Sequence, residues 1–197
     1  TDETSTIVQS FLDDRRIKYF SEENQGVCAA RNLGSEKAIA KYITFLDSDD
    51  YVSDTWLMDF YNEIQQSNAD IVRCKTMVNS VPENEDQDLL AGNFAVKRDL
   101  FLEAGKYDSN LKFGENTELK WRLEERKGIF AYIPKYNFFY DNDLTGSSDK
   151  KKENQIEFTY YVLKKHRNLF KKNKRWTQLV YQIAGVNCMQ LGRRKEG

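Results

Sequence analysis

The sequence predicts an α/β fold, a mixed and mostly parallel sheet flanked by helices, with a helical extension at its C-terminal end. Three observations carry this. Helix-like and strand-like segments alternate between residues 27 and 78. The 197 residues are 40% hydrophobic and include 3 Trp, 11 Tyr and 12 Phe, enough bulky material for one real core. From residue 150 onward the apolar period becomes helical and stays so.

The chain opens on Thr1-Asp2-Glu3-Thr4-Ser5, polar residues suited to capping a helix with Ile7, Val8, Phe11 and Leu12 inward. So abrupt an opening points to further residues upstream. An extended run at 17–20 leads to the turn-forming Asn24-Gln25-Gly26, then to a helix through Ala29, Ala30, Leu33 and Ala38. Residues 42–46 are β-rich, which makes this stretch strand, helix, strand. Asp54 is placed to cap a helix carrying Leu57, Phe60, Tyr61 and Ile64, and 71–78 gives the next strand. Residues 79–91 are acidic and aperiodic and read as a loop. Beyond it, 96–104 and 115–126 predict helices, 129–133 a strand and 137–140 a further extended piece, punctuated by Gly105, Gly114 and Gly128. Ile156, Tyr160, Leu163 and Phe170, then Trp176, Leu179, Val180, Ile183 and Ala184, fall on helical faces. The organisation is a body over 1–149 and a basic helical hairpin over 150–197.

No apolar run approaches the roughly 18 residues of a membrane span, and the start does not resemble a signal peptide. Cys28, Cys74 and Cys188 are odd in number and far apart, which fits reduced thiols in a cytoplasmic protein. The formal charge of −1 conceals an asymmetry. Residues 1–149 hold 17 Lys or Arg against 28 Asp or Glu, a balance of −11, whereas 150–197 hold 13 against 3, a balance of +10. Such a tail suits an anionic membrane surface or the acidic body of its own protein. Nucleic acid is not expected, because no recognised motif accompanies the basic and aromatic residues.

Asp47-Ser48-Asp49-Asp50 closes the predicted strand at 42–46, where an open α/β sheet gathers its ligands. Three carboxylates within four residues repel one another unless a cation joins them, and hard oxygen ligands point to Mg²⁺ or Mn²⁺. A solvated acidic turn is the plainer alternative. An EF-hand loop fails, because its fifth and sixth positions would be Tyr51 and Val52. A phosphatase of the aspartyl-phosphate type lacks its expected Thr.

Several segments together resemble the inverting glycosyltransferases of family 2, which adopt the GT-A nucleotide-sugar-binding fold. They are Asn24-Gln25-Gly26 with Ala30-Arg31-Asn32-Leu33-Gly34, then Phe45-Leu46-Asp47-Ser48-Asp49-Asp50, then Gly114-Glu115-Asn116-Thr117-Glu118-Leu119 followed by Arg122-Leu123. The resemblance runs through most of the first 150 residues. It implies that Asp47 and Asp49 form an Asp-x-Asp element, with Asp49 the direct metal ligand and Asp50 a helper on the ribose side. It also implies that Arg31 pairs with donor phosphate oxygens through its guanidinium fork. The implied reaction moves a sugar from a UDP- or GDP-sugar type donor to a glycan or lipid-linked acceptor, with inversion. The family commonly has Glu-Asp where this chain has Glu115-Asn116, and an amide cannot act as a base at neutral pH. Glu115 is then the first candidate for the base and Glu118, one turn on, the second. The family's N-terminal strand-loop-strand, which holds nucleobase and ribose, is expected to lie ahead of Thr1. A catalytically silent nucleotide-sugar or glycan-binding relative and a sugar nucleotidyltransferase are the alternatives, the latter weakened by the lack of a Gly-rich phosphate loop. The expected setting is cytoplasmic, with peripheral contact at the inner membrane face through the basic tail. His166, the one histidine, reads as a surface residue of that tail.

Overall fold

The computed structural model describes residues 3–82, 89–140 and 148–193. Thr1 and Asp2 of the expected first cap, and residues 83–88 of the expected loop, lie outside them. In chain order the elements are α1 (Thr4–Gln9), α2 (Val27–Lys37), β1 (Tyr42–Thr44), β2 (Tyr51–Val52), α3 (Trp56–Ser67), β3 (Ile71–Val78) and β4 (Val81–Pro82). They continue with β5 (Phe94–Lys97), α4 (Arg98–Glu103), α5 (Glu115–Glu125), β6 (Phe130–Tyr140), α6 (Ser148–Lys165), α7 (Arg167–Lys172) and α8 (Lys174–Gln190).

The strands form one mixed sheet in the order β1-β5-β3-β6-β2, with β4 beside β3. The α/β class holds, but β3–β6 is the parallel neighbour pair among the described strands and the others run antiparallel. The difference from a mostly parallel sheet has a simple source. Val96 and Lys97, expected to begin a helix, instead belong to β5, which inserts between β1 and β3, antiparallel to both.

Both faces of the sheet are covered, which is why its central strands are apolar on both sides. Ile71, Phe94 and Val96 pack with Cys28 of α2, Phe101 of α4 and Leu119 and Leu123 of α5. Val72, Cys74 and Ala95 point the other way, onto Trp56 and Phe60 of α3. A third cluster joins Trp121 of α5 to Val162, Phe170 and Val180, so the C-terminal helices share a core with the body.

Some elements depart from expectation. Ile7 and Phe11, expected inward from α1, are more than half exposed. Residues 17–20 form no ladder among the described strands. The pieces at 129–133 and 137–140 are one strand, β6, with a bulge where Cys74 pairs with Ile133 and Lys75 with Tyr136. Pro134, which has no backbone N–H to donate, falls in that bulge. Thr55 rather than Asp54 stands at the N-cap of α3.

Candidate active site

β1 ends at Thr44, and Phe45 beyond it packs its ring against Phe101 and Tyr107, both 5.4 Å between centroids. The chain then turns over Asp47 to Asp50, closed by the Asp50 N–H donating to the Asp47 carbonyl at 3.2 Å. β2 picks it up at once, Tyr51 and Val52 pairing with Phe139 and Phe138 of β6. The acidic turn is thereby pinned between two strands.

α5 approaches the same place with its N-terminus. Gly114 adopts φ +72, a left-handed conformation that glycine takes without strain, and a Cβ there would fall 2.6 Å from the Phe158 ring. Packing of α6 onto this glycine fixes where α5 begins, and so places Glu115 and Asn116 at the cleft.

Arg31, from α2, joins the two sides. Its Nη2 donates to both Asp47 carboxylate oxygens at 2.8 and 2.6 Å, and its Nη1 donates to Glu115 Oε1 at 3.2 Å. The Tyr107 ring lies beneath the guanidinium, 5.3 Å from Cζ to centroid. The side chain is only 9% exposed, and its buried Nε has no hydrogen-bond partner among the described residues. Burial lowers the affinity of this guanidinium for its proton, but the Asp47 carboxylate outweighs that and raises its pKa.

Asn116 completes a chain of bonds. Tyr107 Oη donates to Asn116 Oδ1 at 2.8 Å, and Asn116 Nδ2 donates to Glu115 Oε1 at 3.0 Å. Asn32 in turn holds Tyr107 by its backbone, donating to its carbonyl and accepting from its N–H at 2.9 Å each. The Ala-Arg-Asn helix motif therefore does two jobs: Arg31 spans the carboxylates and Asn32 seats the tyrosine below it.

Arg31, Asp47, Asp50, Glu115 and Asn116 border a cleft of about 480 Å³, lined also by Leu89, Phe113, Thr117, Phe138 and Tyr140; Asp49, the expected direct metal ligand, is not among the lining residues. Burial raises the Tyr140 phenol pKa, and Asp50, Asp49, Asp47 and Glu115 reinforce it in that order, so all four carboxylates act on one place. Arg31 is the one cation lining the cleft among the described residues. Neither Tyr107 nor Tyr140 was singled out from sequence. No local signal marks them, because each reaches the site through partners distant in the chain.

Glu118, the second candidate for the base, does not line the cleft. Its carboxylate is fully buried, accepting from Arg122 Nε and Nη2, from Lys165 Nζ at 2.8 Å, and lying 2.6 Å from His166 Nε2. Burial alone would raise its pKa, but hydrogen bonds from His166, Arg122 and Lys165 prevail and hold it at about 2. His166, read from sequence as a surface residue, is 10% exposed and faces this carboxylate. A carboxylate with so many donors inside the protein is worth more ionised than as a proton acceptor.

A curled mixed sheet with helices on both faces and a carboxylate-lined cleft at strand ends is a domain of the GT-A fold. The chain belongs to glycosyl transferase family 2, whose family profile matches residues 1–117. It is 45% identical over 69 residues to an uncharacterized glycosyltransferase of Haemophilus influenzae, covering 34% of this chain and 28% of that protein. It is 39% identical over 72 residues to glycosyltransferase GlyA of Streptococcus pneumoniae, covering 36% and 10%. With the uncharacterized glycosyltransferase EpsJ of Bacillus subtilis it shares 28% identity over 139 residues, 69% of this chain and 38% of that one. The chain thus spans less than half the length of these relatives. Its fold matches the crystal structure of S. aureus TarS 1-349 in complex with UDP-GlcNAc, at TM-score 0.65 and 17% identity, over 83% of this chain and 55% of that one.

Proposed function

We propose that this chain transfers a glycosyl group from a nucleotide-diphosphate sugar, of the UDP type, to an acceptor hydroxyl with inversion at the anomeric carbon. The observation that carries it is the Asp47–Arg31–Glu115 bridge, which ties the acidic turn to the carboxylate that opens α5 within one cleft. The family, and the UDP-GlcNAc and UDP complexes of TarS, support the donor class.

In this reading the acceptor oxygen attacks the anomeric carbon as the bond to the diphosphate breaks. Glu115 takes the acceptor proton, and the diphosphate departs with the bonding electron pair. Asn116 cannot accept that proton; it donates to Glu115 and orients it. Arg31 is a positioning residue, holding Asp47 and Glu115 apart at fixed geometry.

The donor set fits a hard divalent cation, Mg²⁺ or Mn²⁺. Among the described residues no three carboxylate, histidine or cysteine side chains converge on one point. A cation there would be held by one or two carboxylates and completed by substrate phosphates. Asp49 and Asp47 would hold it, with Asp50 beside them, and it would supply positive charge to the departing diphosphate. A cleft lined by three carboxylates and one arginine, with Asp49 close enough to act on Tyr140, needs such a charge before a diphosphate can enter. UDP release from a UDP-sugar tests this: it should require Mn²⁺ or Mg²⁺, stop with EDTA and fall by about 10²-fold in Asp49→Ala. Metal-independent release would refute the cation site. Failure of any donor turnover would favour a silent sugar-nucleotide binder, the reading Asn116 keeps open.

The basic tail supports a peripheral contact with anionic membrane. Among the described residues no helix is long and apolar enough to cross a membrane. Lys165 is committed to Asp108 and Glu118 of the body, but Lys164, Arg167 and Lys171 border a groove of about 610 Å³ with Leu163, Phe170 and Tyr181. Binding to anionic vesicles that disappears at high salt is expected, and no pelleting at low salt would contradict it.

A further inference from the structure

We propose that a second groove, between α5 and α8 and outside the catalytic cleft, is a subsite for an oligosaccharide segment of the acceptor. The proposal rests on the glycosyl-transfer reading above.

The groove encloses about 550 Å³. From α5 it takes Thr117, Lys120, Trp121 and Glu124, the i, i+3, i+4, i+7 stripe of one helix face. Thr117 also lines the catalytic cleft, so the two spaces adjoin along α5, beginning two residues beyond Glu115. From Glu115 to Glu124 the helix rises by about 14 Å. That length suits a short chain of sugars rather than a single one.

The lining has the chemistry a sugar chain requires. Trp121 is buried, and Trp176 of α8 stacks on it with centroids 5.6 Å apart and planes 26° from parallel. Trp176 is the outer member of the pair, partly exposed, and it borders the groove. A pyranose offers an apolar C–H face to such an indole and a rim of hydroxyls around it. Each hydroxyl both donates and accepts, and the Gln178 and Gln182 amides that line the same groove do so too. Arg175 supplies donors and Glu124 an acceptor.

Other ligand classes match less well. The mixed charges of Lys120, Glu124 and Arg175 do not form the uniformly basic track of a nucleic-acid groove. An apolar partner helix would leave the two exposed glutamines unpaired. The platform is also rigid before any ligand arrives, because Phe158 and Phe170 hold Trp121 from its other sides. Such preorganisation reduces the entropy lost on binding.

The test offers chitotetraose, cellotetraose and mannotetraose to the 197-residue chain, reading tryptophan fluorescence and saturation-transfer NMR. At least one tetrasaccharide should bind, and more tightly than its own monosaccharide. Gln178→Ala with Gln182→Ala, which leaves both tryptophans in place, should weaken that binding about tenfold. Trp176→Ala should abolish it, with circular dichroism reporting whether the shared core survives; the double glutamine variant decides the matter if it does not. UDP release without oligosaccharide should be unchanged in the glutamine variant. Intact UDP release with no tetrasaccharide bound, or binding untouched by the glutamine changes, overturns the subsite alone. Loss of UDP release in the unmodified chain overturns the transfer reading, and the subsite with it.

Discussion

At the scale of single residues the site depends on one guanidinium. Arg31 offers two Nη donors to two carboxylates, one 16 and the other 84 residues further along the chain, and lies over a tyrosine ring. Lysine keeps the charge but not the fork. Arg31→Lys should therefore leave the chain folded while lowering UDP release by about 10²-fold, the loss expected when reacting groups shift by about 1 Å. Steady-state turnover beside a thermal melt checks both halves. Asn116 illustrates the same point in a neutral group. A second carboxylate beside Glu115 would repel it, whereas the amide donates to it and accepts from Tyr107. The departure from the family's usual acidic pair thus leaves one carboxylate, held by two donors, at the start of α5.

At the scale of elements, α5 carries two different faces of function. Its first turn opens on the cleft, and one turn later Glu118 anchors α6 and the segment leading into α7 through Lys165 and His166. The folded pKa of Glu118 is depressed, from 4.5 to about 2, so its stabilisation is complete above the unfolded value and lost as pH falls toward 2. Glu118→Gln leaves Arg122, Lys165 and His166 without their shared anion and should destabilise the fold by about 3–5 kcal/mol. The variant should also show a flatter loss of stability between pH 4.5 and 2 than the unmodified chain. Urea melts across that pH range measure both effects. An unchanged acid slope would contradict the role given to this carboxylate.

Elements with a strong local pattern were legible in the sequence. β3 falls at 71–78 as expected, and α5 begins at Glu115 as Gly114 signals. What was not legible depended on pairing. Phe94 to Lys97 are apolar enough for strand or helix, and only neighbours on both sides make them β5. A proline in a bulge made one long strand look like two pieces. Of the residues the motif segments announced, Arg31, Asp47, Asp50, Glu115 and Asn116 line the cleft, whereas Asp49 and Glu118 do not. Tyr107, Tyr140 and the Glu118–His166 contact carried no local signal, because each exists only through partners brought together by the fold.

At the scale of the molecule, the charge asymmetry between body and tail is partly resolved inside the chain. Lys165 pairs with Asp108 and Glu118, and burial raises the Asp108 pKa less than Lys165 and Tyr161 lower it. Trp121 gives the C-terminal helices a shared core with the body. Lys164, Arg167 and Lys171 border one groove and the partly exposed Trp176 another, the first proposed for anionic lipid and the second for sugar. The groove between α5 and α8 adjoins the cleft at Thr117, and the proposed reaction there uses Glu115 as its proton acceptor. The measurement that meets this claim most directly is Mn²⁺-dependent UDP release from a UDP-sugar by Glu115→Gln, with UDP affinity determined alongside. The account predicts turnover lowered by about 10²- to 10⁴-fold with UDP affinity nearly unchanged. Near-normal turnover in Glu115→Gln would contradict it.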